Sequence, residues 1–267
     1  MSIISCTTLF FWEYPIEEIA DIFKSVGLKS MEFFPENPEF WDKRFDEDYL
    51  KEIKSILSKF YLTIHAPYIE LNPSSTNPYI QEATIKETLW AIDLANFLGA
   101  EVLTIHPGKR PTKRPPTMEE YEKFYHYLDV CIPYAEEKSV TLSLENMPKL
   151  VNYICHSVEE IKQIIERYRI GLTLDFAHAK ENAERFVEEL HEYIKNTHIS
   201  GVCDGREHYP LYHSQIDFSP YIKKLVDYGY KGSLVIEIND LNYNKELSKE
   251  EKISELLKEI EYLEKLI

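Results

Sequence analysis

Short apolar runs alternate along the chain with longer amphipathic stretches, and this alternation is the main structural signal in the sequence. The short runs have the length of buried strands, and the longer ones place apolar residues three and four positions apart, as one helix face requires. The predicted strands are 3–8, 30–34, 61–65 and 101–106, followed by runs ending at Glu145, Asp175, His198 and Glu237. The predicted helices are 15–27, 45–60, a long one ending at Leu98, then 118–138, 157–168, 181–191, 220–228 and 245–266.

Strict alternation of strands and helices predicts a parallel sheet covered by helices. Eight such units predict closure into a single (β/α)8 TIM barrel, with its active site at the C-terminal ends of the strands. An open doubly wound sheet is the competing fold, but no glycine-rich phosphate loop follows the first strand. We expect one barrel domain spanning residues 1–267.

The predicted strands end in a common way. Apolar residues flank a terminal histidine or acid, and the residue two positions earlier is small or polar in all but one case. Since parallel strands of a barrel point the same way, their terminal side chains are expected to converge. The converging residues are His65, His106, Glu145, Asp175, His198 and Glu237.

Composition narrows the class of protein. Hydrophobic residues make up 44% of the 267, enough for a sizeable core, and the formal charge of −16 disfavours non-specific binding of nucleic acid. The four cysteines are widely spaced, which favours reduced thiols in a cytoplasmic protein. No run approaches the ~20 apolar residues of a membrane span, so we expect no membrane association.

Imidazole nitrogens and carboxylate oxygens are suitable ligands for Mn, Co or Zn, and the absence of cysteine from the set disfavours a closed structural zinc site. Inward-facing carboxylates without a cation would repel one another. Each residue alone has a plainer interpretation, as a core histidine or a helix cap. The convergence of six predicts one divalent-metal site, with a second possible and a third doubtful.

The ordered motifs resemble the xylose isomerase-like TIM barrel superfamily, which includes sugar isomerases and epimerases and the endonuclease IV branch of abasic-site (AP) endonucleases. They are His65-Ala-Pro, His106-Pro-Gly, Leu144-Glu-Asn, Leu174-Asp-Phe-Ala-His178, His198-Ile-Ser and Ile236-Glu. In the epimerase branch, the resemblance implies one metal held by Glu145, Asp175, His198 and Glu237. The two glutamates also move the proton, and His178 contacts the substrate.

The endonuclease IV branch implies a larger metal centre that hydrolyses a phosphodiester. The matches to His65, His106 and Glu145 would hold one zinc, and the four ligands above would hold a second. A third would need His178 and an Asp-x-His pair. His208 matches that histidine, but Arg206 stands where the aspartate is expected, so this site is incomplete in the sequence.

Candidate substrate contacts follow the strand ends. Lys109 and Arg110 belong to a local basic loop suited to a phosphate, and Tyr68 follows His65. His208 and Arg206 lie in the loop after strand seven. A solvated loop and ordinary aromatic packing are the plainer interpretations, and Glu32 and Glu36 near strand two carry less weight.

The sequence therefore favours a divalent-metal-dependent isomerase or epimerase of a small sugar or sugar phosphate, with Glu145 and Glu237 as acid and base. The alternative is an endonuclease IV-like, zinc-dependent AP endonuclease, for which DNA would be the substrate. A third interpretation is a metal-binding barrel without catalytic activity. The substrate, the metal and the oligomeric state stay open.

Overall fold

A computed structural model describes residues 3–267 of the chain. Within that range the chain forms ten strands: β1 (Ile3–Cys6), β2 (Ser30–Phe33), β3 (Tyr61–His65), β4 (Val102–Ile105), β5 (Thr141–Glu145), β6 (Gly171–Asp175), β7 (Ile194–Ile199), β8 (Gly201–Cys203), β9 (Arg206–Tyr209) and β10 (Ser233–Ile236). The same range contains ten α-helices: α1 (Ile16–Ser25), α2 (Pro38–Lys43), α3 (Glu47–Leu57), α4 (Pro78–Leu98), α5 (Met118–Glu137), α6 (Val158–Tyr168), α7 (Phe176–Ala179), α8 (Ala183–Leu190), α9 (Ser219–Asp227) and α10 (Lys249–Glu264).

Eight of the strands form one parallel sheet in the order β1-β10-β7-β6-β5-β4-β3-β2. A parallel bridge between Thr7, just after β1, and Glu32 of β2 joins the two edges of this sheet. The predicted (β/α)8 TIM barrel is therefore confirmed. All parallel strands end at the same rim, which brings the residues at their carboxyl ends together.

The barrel interior contains a layer of small polar side chains beneath that rim. Thr173 of β6 hydrogen-bonds Thr104 of β4 at 2.9 Å, although these strands are not neighbours, so both side chains lie inside the barrel. Ser143 and Asn196 join the same layer, and all four residues are fully buried. These four residues, each two positions before a predicted strand end, thus fill the floor of the site.

Three segments differ from the sequence prediction. The helix predicted over 45–60 is α3, where Asp46 caps the first turn through the amides of Asp48 and Tyr49, and the short α2, which was not predicted, precedes it. The helix predicted over 181–191 is preceded by the short α7, which begins directly after Asp175. The last helix begins at Lys249 rather than 245, where Ser248 and Glu251 form a capping box.

The segment after β7 was expected to be a loop, yet it contains an antiparallel hairpin of β8 and β9. Asp204 and Gly205 have positive φ angles of 51° and 76° at its turn. The hairpin places His208 beside the barrel mouth.

Candidate metal centre

The six predicted strand-end residues do converge at the barrel rim. His65, Glu145 and Asp175 are the last residues of their strands, and His198 lies near the end of β7. His106 and Glu237 each follow a strand by one residue. Because His198 pairs with Asp175 in register, these two side chains enter the site at the same level.

A first group of ligands consists of His65, His106 and Glu145, whose ligand atoms all lie within 4.8 Å of one another. Glu145 Oε2 lies 3.4 Å from His65 Nε2 and 3.0 Å from His106 Nε2. His65 Nδ1 donates to the carbonyl of Ala66 at 2.8 Å, which leaves Nε2 with a lone pair when the ring is neutral. That lone pair faces a carboxylate oxygen, an arrangement that a cation between them would stabilise.

A second group consists of Glu145, Asp175, His198 and Glu237. His198 Nε2 donates to buried Glu32 Oε1 at 2.9 Å, so its Nδ1 is the ligand atom. This Nδ1 lies 3.2 Å from Glu237 Oε2, yet neither atom has a hydrogen-bond partner among the described residues. Asp175 Oδ2 is also buried without a partner there. Three orphaned buried ligand atoms around one point fit a divalent metal.

The third group, Asp175, His178 and His208, corresponds to the doubtful site of the sequence analysis. Each ring is oriented through Nδ1, which donates to a carbonyl oxygen: that of Asn146 for His178 at 3.0 Å and that of Glu237 for His208 at 3.2 Å. Asp175, rather than a residue two positions before His208, supplies the carboxylate close to these two rings. Because its Oδ1 accepts from the His178 amide at 2.7 Å, only Oδ2 is free for the second and third groups to share.

Opposite charges hold the site together. Burial opposes ionisation of Glu145, but the imidazoles of His198 and His106 outweigh it and keep the pKa of this carboxyl well below its usual value. Burial dominates at Asp175 and raises its pKa to about 6, against the effect of His178. Glu145 is also the common member of the first two groups.

The structure places some of the predicted substrate contacts at the site and others away from it. Tyr68 packs on His106 with ring centroids 4.6 Å apart, and its loop is fixed because Glu36 accepts from the amides of Tyr68 and Ile69. Lys109 lies beside His106 and donates to Tyr153 Oη at 3.1 Å.

Two predicted contacts have other neighbours. Arg110 lies 3.4 Å from Glu120 of α5 and donates to the carbonyl of Pro115, so it is held away from the ligands. Arg206 is exposed and lies over the ring of Tyr209. Asp204, at the turn of the hairpin, accepts a hydrogen bond from Gln215.

Sequence reasoning gave too little weight to Glu32, which is fully buried and orients His198. Its Oε2 accepts from Asn196 at 2.5 Å and Thr63 at 3.2 Å, which fixes the carboxylate in the interior layer. The pairing of Glu32 with Thr63, two residues before His65, could not be predicted from the sequence. The signal that the sequence did offer is a charged residue within a short buried strand.

Asn146 was recognised only as part of a motif. Its side chain donates to the carbonyl of Asp175 at 2.9 Å and accepts from the amide of Asp175 at 2.8 Å, while its own carbonyl orients His178. One amide side chain therefore joins the ends of β5 and β6.

Among residues 3–267, no helix has the length and apolar character needed to cross a membrane.

Comparison with known proteins agrees with this architecture. The uncharacterized protein MJ1188 of Methanocaldococcus jannaschii is 55% identical over 99% of both chains. A protein named probable endonuclease 4 from Thermosipho melanesiensis is 26% identical over 62% of this chain and 63% of its own. The crystal structure of a D-tagatose 3-epimerase-like protein matches 99% of this chain and 98% of its own, with 21% identity and a TM-score of 0.79. The model of the family described as xylose isomerase-like TIM barrel matches residues 20–266, and the chain belongs to this family.

Proposed function

We propose that this protein is a metal-dependent hydrolase of a phosphate ester. The observation that carries the proposal is the position of Glu145 Oε2, which lies 3.4 Å from His65, 3.0 Å from His106 and 3.5 Å from a nitrogen of His198. These histidines belong to two different ligand groups. A carboxylate with this environment is suited to bridge two ions, as in two-metal hydrolytic sites, where the ions lie about 3.5–4 Å apart.

The same environment disfavours Glu145 as a general base. An effective base has a pKa near the working pH, whereas four imidazoles surround this carboxylate and hold its pKa far lower. Bound divalent ions would polarise phosphoryl oxygens and activate water at neutral pH. His65 and His106 would hold one ion, and Asp175, His198 and Glu237 the other.

One other side chain suits a phosphate group. Lys109 lines the same cavity as His106, although the protein as a whole carries a charge of −16. Its ammonium group would bind and orient the phosphate, and the acidic remainder of the surface favours a small ester over a long polyanion.

The test is hydrolysis by protein loaded separately with Zn, Mn and Co. The substrates are p-nitrophenyl phosphate, bis(p-nitrophenyl) phosphate and a duplex oligonucleotide with one abasic site. We expect ester hydrolysis that His106→Ala lowers at least about 100-fold, since a bridged ion loses a ligand. His126→Ala on the exposed face of α5 is the matched control. Cleavage of the abasic duplex alone would assign the DNA-directed form. Absence of all hydrolysis at full metal loading contradicts the proposal.

The second candidate is isomerisation or epimerisation of a small sugar or sugar phosphate. It is favoured by Glu145 and Glu237, which both belong to the second ligand group, and by the full-length likeness to the D-tagatose 3-epimerase-like protein. Under this candidate the two glutamates would exchange a substrate proton. Deuterium incorporation from solvent into a panel of ketoses and their phosphates, followed by NMR, tests it. Exchange without ester hydrolysis would replace the first proposal by this one.

A further inference from the structure

A cavity of about 120 Å³ opens beside the metal ligands, between the loops after β3 and β4 and helices α4 and α5. His106 belongs to its wall, so the cavity adjoins the proposed hydrolytic centre. The residues that matter for its chemistry are Tyr68, Leu71, Thr88, His106, Met147 and Tyr153.

Several polar atoms of this wall already have hydrogen-bond partners. Tyr127 Oη hydrogen-bonds Thr88 at 3.1 Å, and the hydroxyl of Thr88 also donates to the carbonyl of Thr84. Asn72 donates to the carbonyl of Lys109 and accepts from the Lys109 amide. These partners leave Thr88, Tyr127 and Asn72 with little free hydrogen-bonding capacity, so a bound group meets mainly aliphatic surface and ring faces on this side of the cavity.

The cavity has the size of a single ring. An engineered protein cavity of about 150 Å³ is known to bind benzene, and 120 Å³ is close to that volume. Tyr68 and Tyr153 contribute aromatic walls, and ring pairs prefer edge or offset contacts of the kind such walls provide. The ammonium of Lys109 lies 5.0 Å from the centre of the Tyr153 ring, where it can meet an anionic group attached to a bound ring.

We propose that this cavity binds the organic group of the substrate and that this group is a single aromatic or apolar ring next to the phosphate. This inference rests on the proposed hydrolase function for the phosphate part and names the substrate class for that site.

Binding is measured by calorimetry with two stable phosphonates, phenylphosphonate and methylphosphonate, on the metal-loaded protein. We expect phenylphosphonate to bind at least about tenfold more tightly, because only its ring buries apolar surface in the cavity. Leu71→Trp, which fills the cavity, should remove that preference. Leu257→Trp on the half-exposed face of α10 is the control for adding an indole. Equal affinities in the wild-type protein, or an unchanged preference in Leu71→Trp, would overturn the inference.

Two further measurements keep this test independent of folding and of the hydrolase proposal. Should Leu71→Trp fail to fold, Leu71→Ala must bind 1-naphthylphosphonate more tightly than the wild type does, and no gain would overturn the inference. Phenol, which has no phosphorus, should give saturation-transfer NMR signals with metal-free protein. Suppose that phenol binds and that Leu71→Ala alters its affinity, while the phosphonates never bind at the metals. The inference that the cavity binds a ring is then supported, and the hydrolase proposal is wrong.

Discussion

The two sides of Glu145 are built differently. On one side, His65 and His106 lie at the ends of β3 and β4 and face the carboxylate directly. On the other, His178 lies in α7 and His208 in the β8–β9 hairpin, outside the barrel sheet. His208 has a positive φ of 64°, and Lys180 nearby has one of 50°. Strand-end ligands inherit the rigidity of the sheet, whereas these ligands depend on loop contacts.

The difference predicts a gradient of metal affinity across the site. The first two groups have their own ligands and share only Glu145, but the third must share Asp175 Oδ2 with the second. The position of the hairpin also depends on a residue outside it, because Lys180 forms an ion pair with Glu207 at 2.6 Å. We expect tight binding of metal by the strand-end ligands and weaker binding between His178 and His208.

The largest effect is expected for Glu145→Gln. Losing the shared carboxylate charge should leave less than one metal per chain after dialysis and lower phosphate-ester hydrolysis by at least about 1,000-fold. Metal content by mass spectrometry and initial rates measure this. Glu207→Gln, an acid of the hairpin, is the control and should retain the tightly bound metal. A variant that keeps two metals would contradict the bridging role of Glu145.

Glu32→Gln should weaken one strand-end group only. Without the carboxylate that accepts the hydrogen bond from its Nε2, His198 becomes a poorer ligand. We therefore expect metal affinity at the second group to fall about 10–100-fold. Affinity at His65 and His106 should change little. Competition with a chelator dye resolves the two constants. Glu36→Gln is the matched control, since that nearby buried acid binds amides of the Tyr68 loop instead. An equal loss of metal affinity in Glu32→Gln and Glu36→Gln would contradict the role given to Glu32 in orienting His198.

His208→Ala should affect only the weak side. The number of metals bound at high metal concentration should fall by one, while the tight binding constants stay within about threefold of wild type. Lys180→Ala should reproduce part of this loss by loosening the hairpin, with little change in stability because the ion pair is partly exposed. Calorimetric titration of the protein with metal gives both the number of bound metals and the binding constants. Loss of a tightly bound metal in His208→Ala would remove the proposed gradient.

The smallest effect concerns the segment after β9. Glu259 of α10 is buried, and its two oxygens accept from the amide of Leu211, both at 3.0 Å. Burial raises the pKa of Glu259 to about 7, against the amide hydrogen bonds. Since the folded pKa lies above the unfolded value of 4.5, the stabilisation from this group is complete below pH 4.5 and is lost as pH rises through 7.

Glu259→Gln removes that titration. The melting temperature of the variant should rise relative to wild type by a few degrees between pH 5 and pH 8, with metal content at His65 and His106 unchanged. Thermal unfolding at a series of pH values measures the difference, and Glu261→Gln on the exposed face of α10 is the control. A difference in melting temperature that stays constant from pH 5 to pH 8 would contradict the raised pKa assigned to Glu259.

Much of the strand-end side could be predicted from sequence because its causes are local. The alternation of apolar and polar residues defines each strand, and the strand end fixes which side chain enters the barrel mouth. His65, His106, Glu145, Asp175, His198 and Glu237 were therefore found one by one, and the structure brings all six together.

The loop side and the interior layer could not be predicted in the same way. The sequence put Arg206 where an aspartate was expected, and only the folded chain shows Asp175 facing His208 instead. Glu32 looked like one more acid in an acidic chain until strand pairing placed it beneath His198. Both depend on contacts between residues far apart in the chain, which periodicity does not encode.

The barrel and the strand-end residues that could hold a metal were predictable from the chain alone, since strand length, polarity and order act within a few residues. Tertiary structure decided which ligands share Glu145, which ring nitrogen each histidine presents and where a ring-sized cavity meets the site. These features arise from closure of the sheet, because closure brings side chains of distant strands within hydrogen-bonding distance and fixes their orientation.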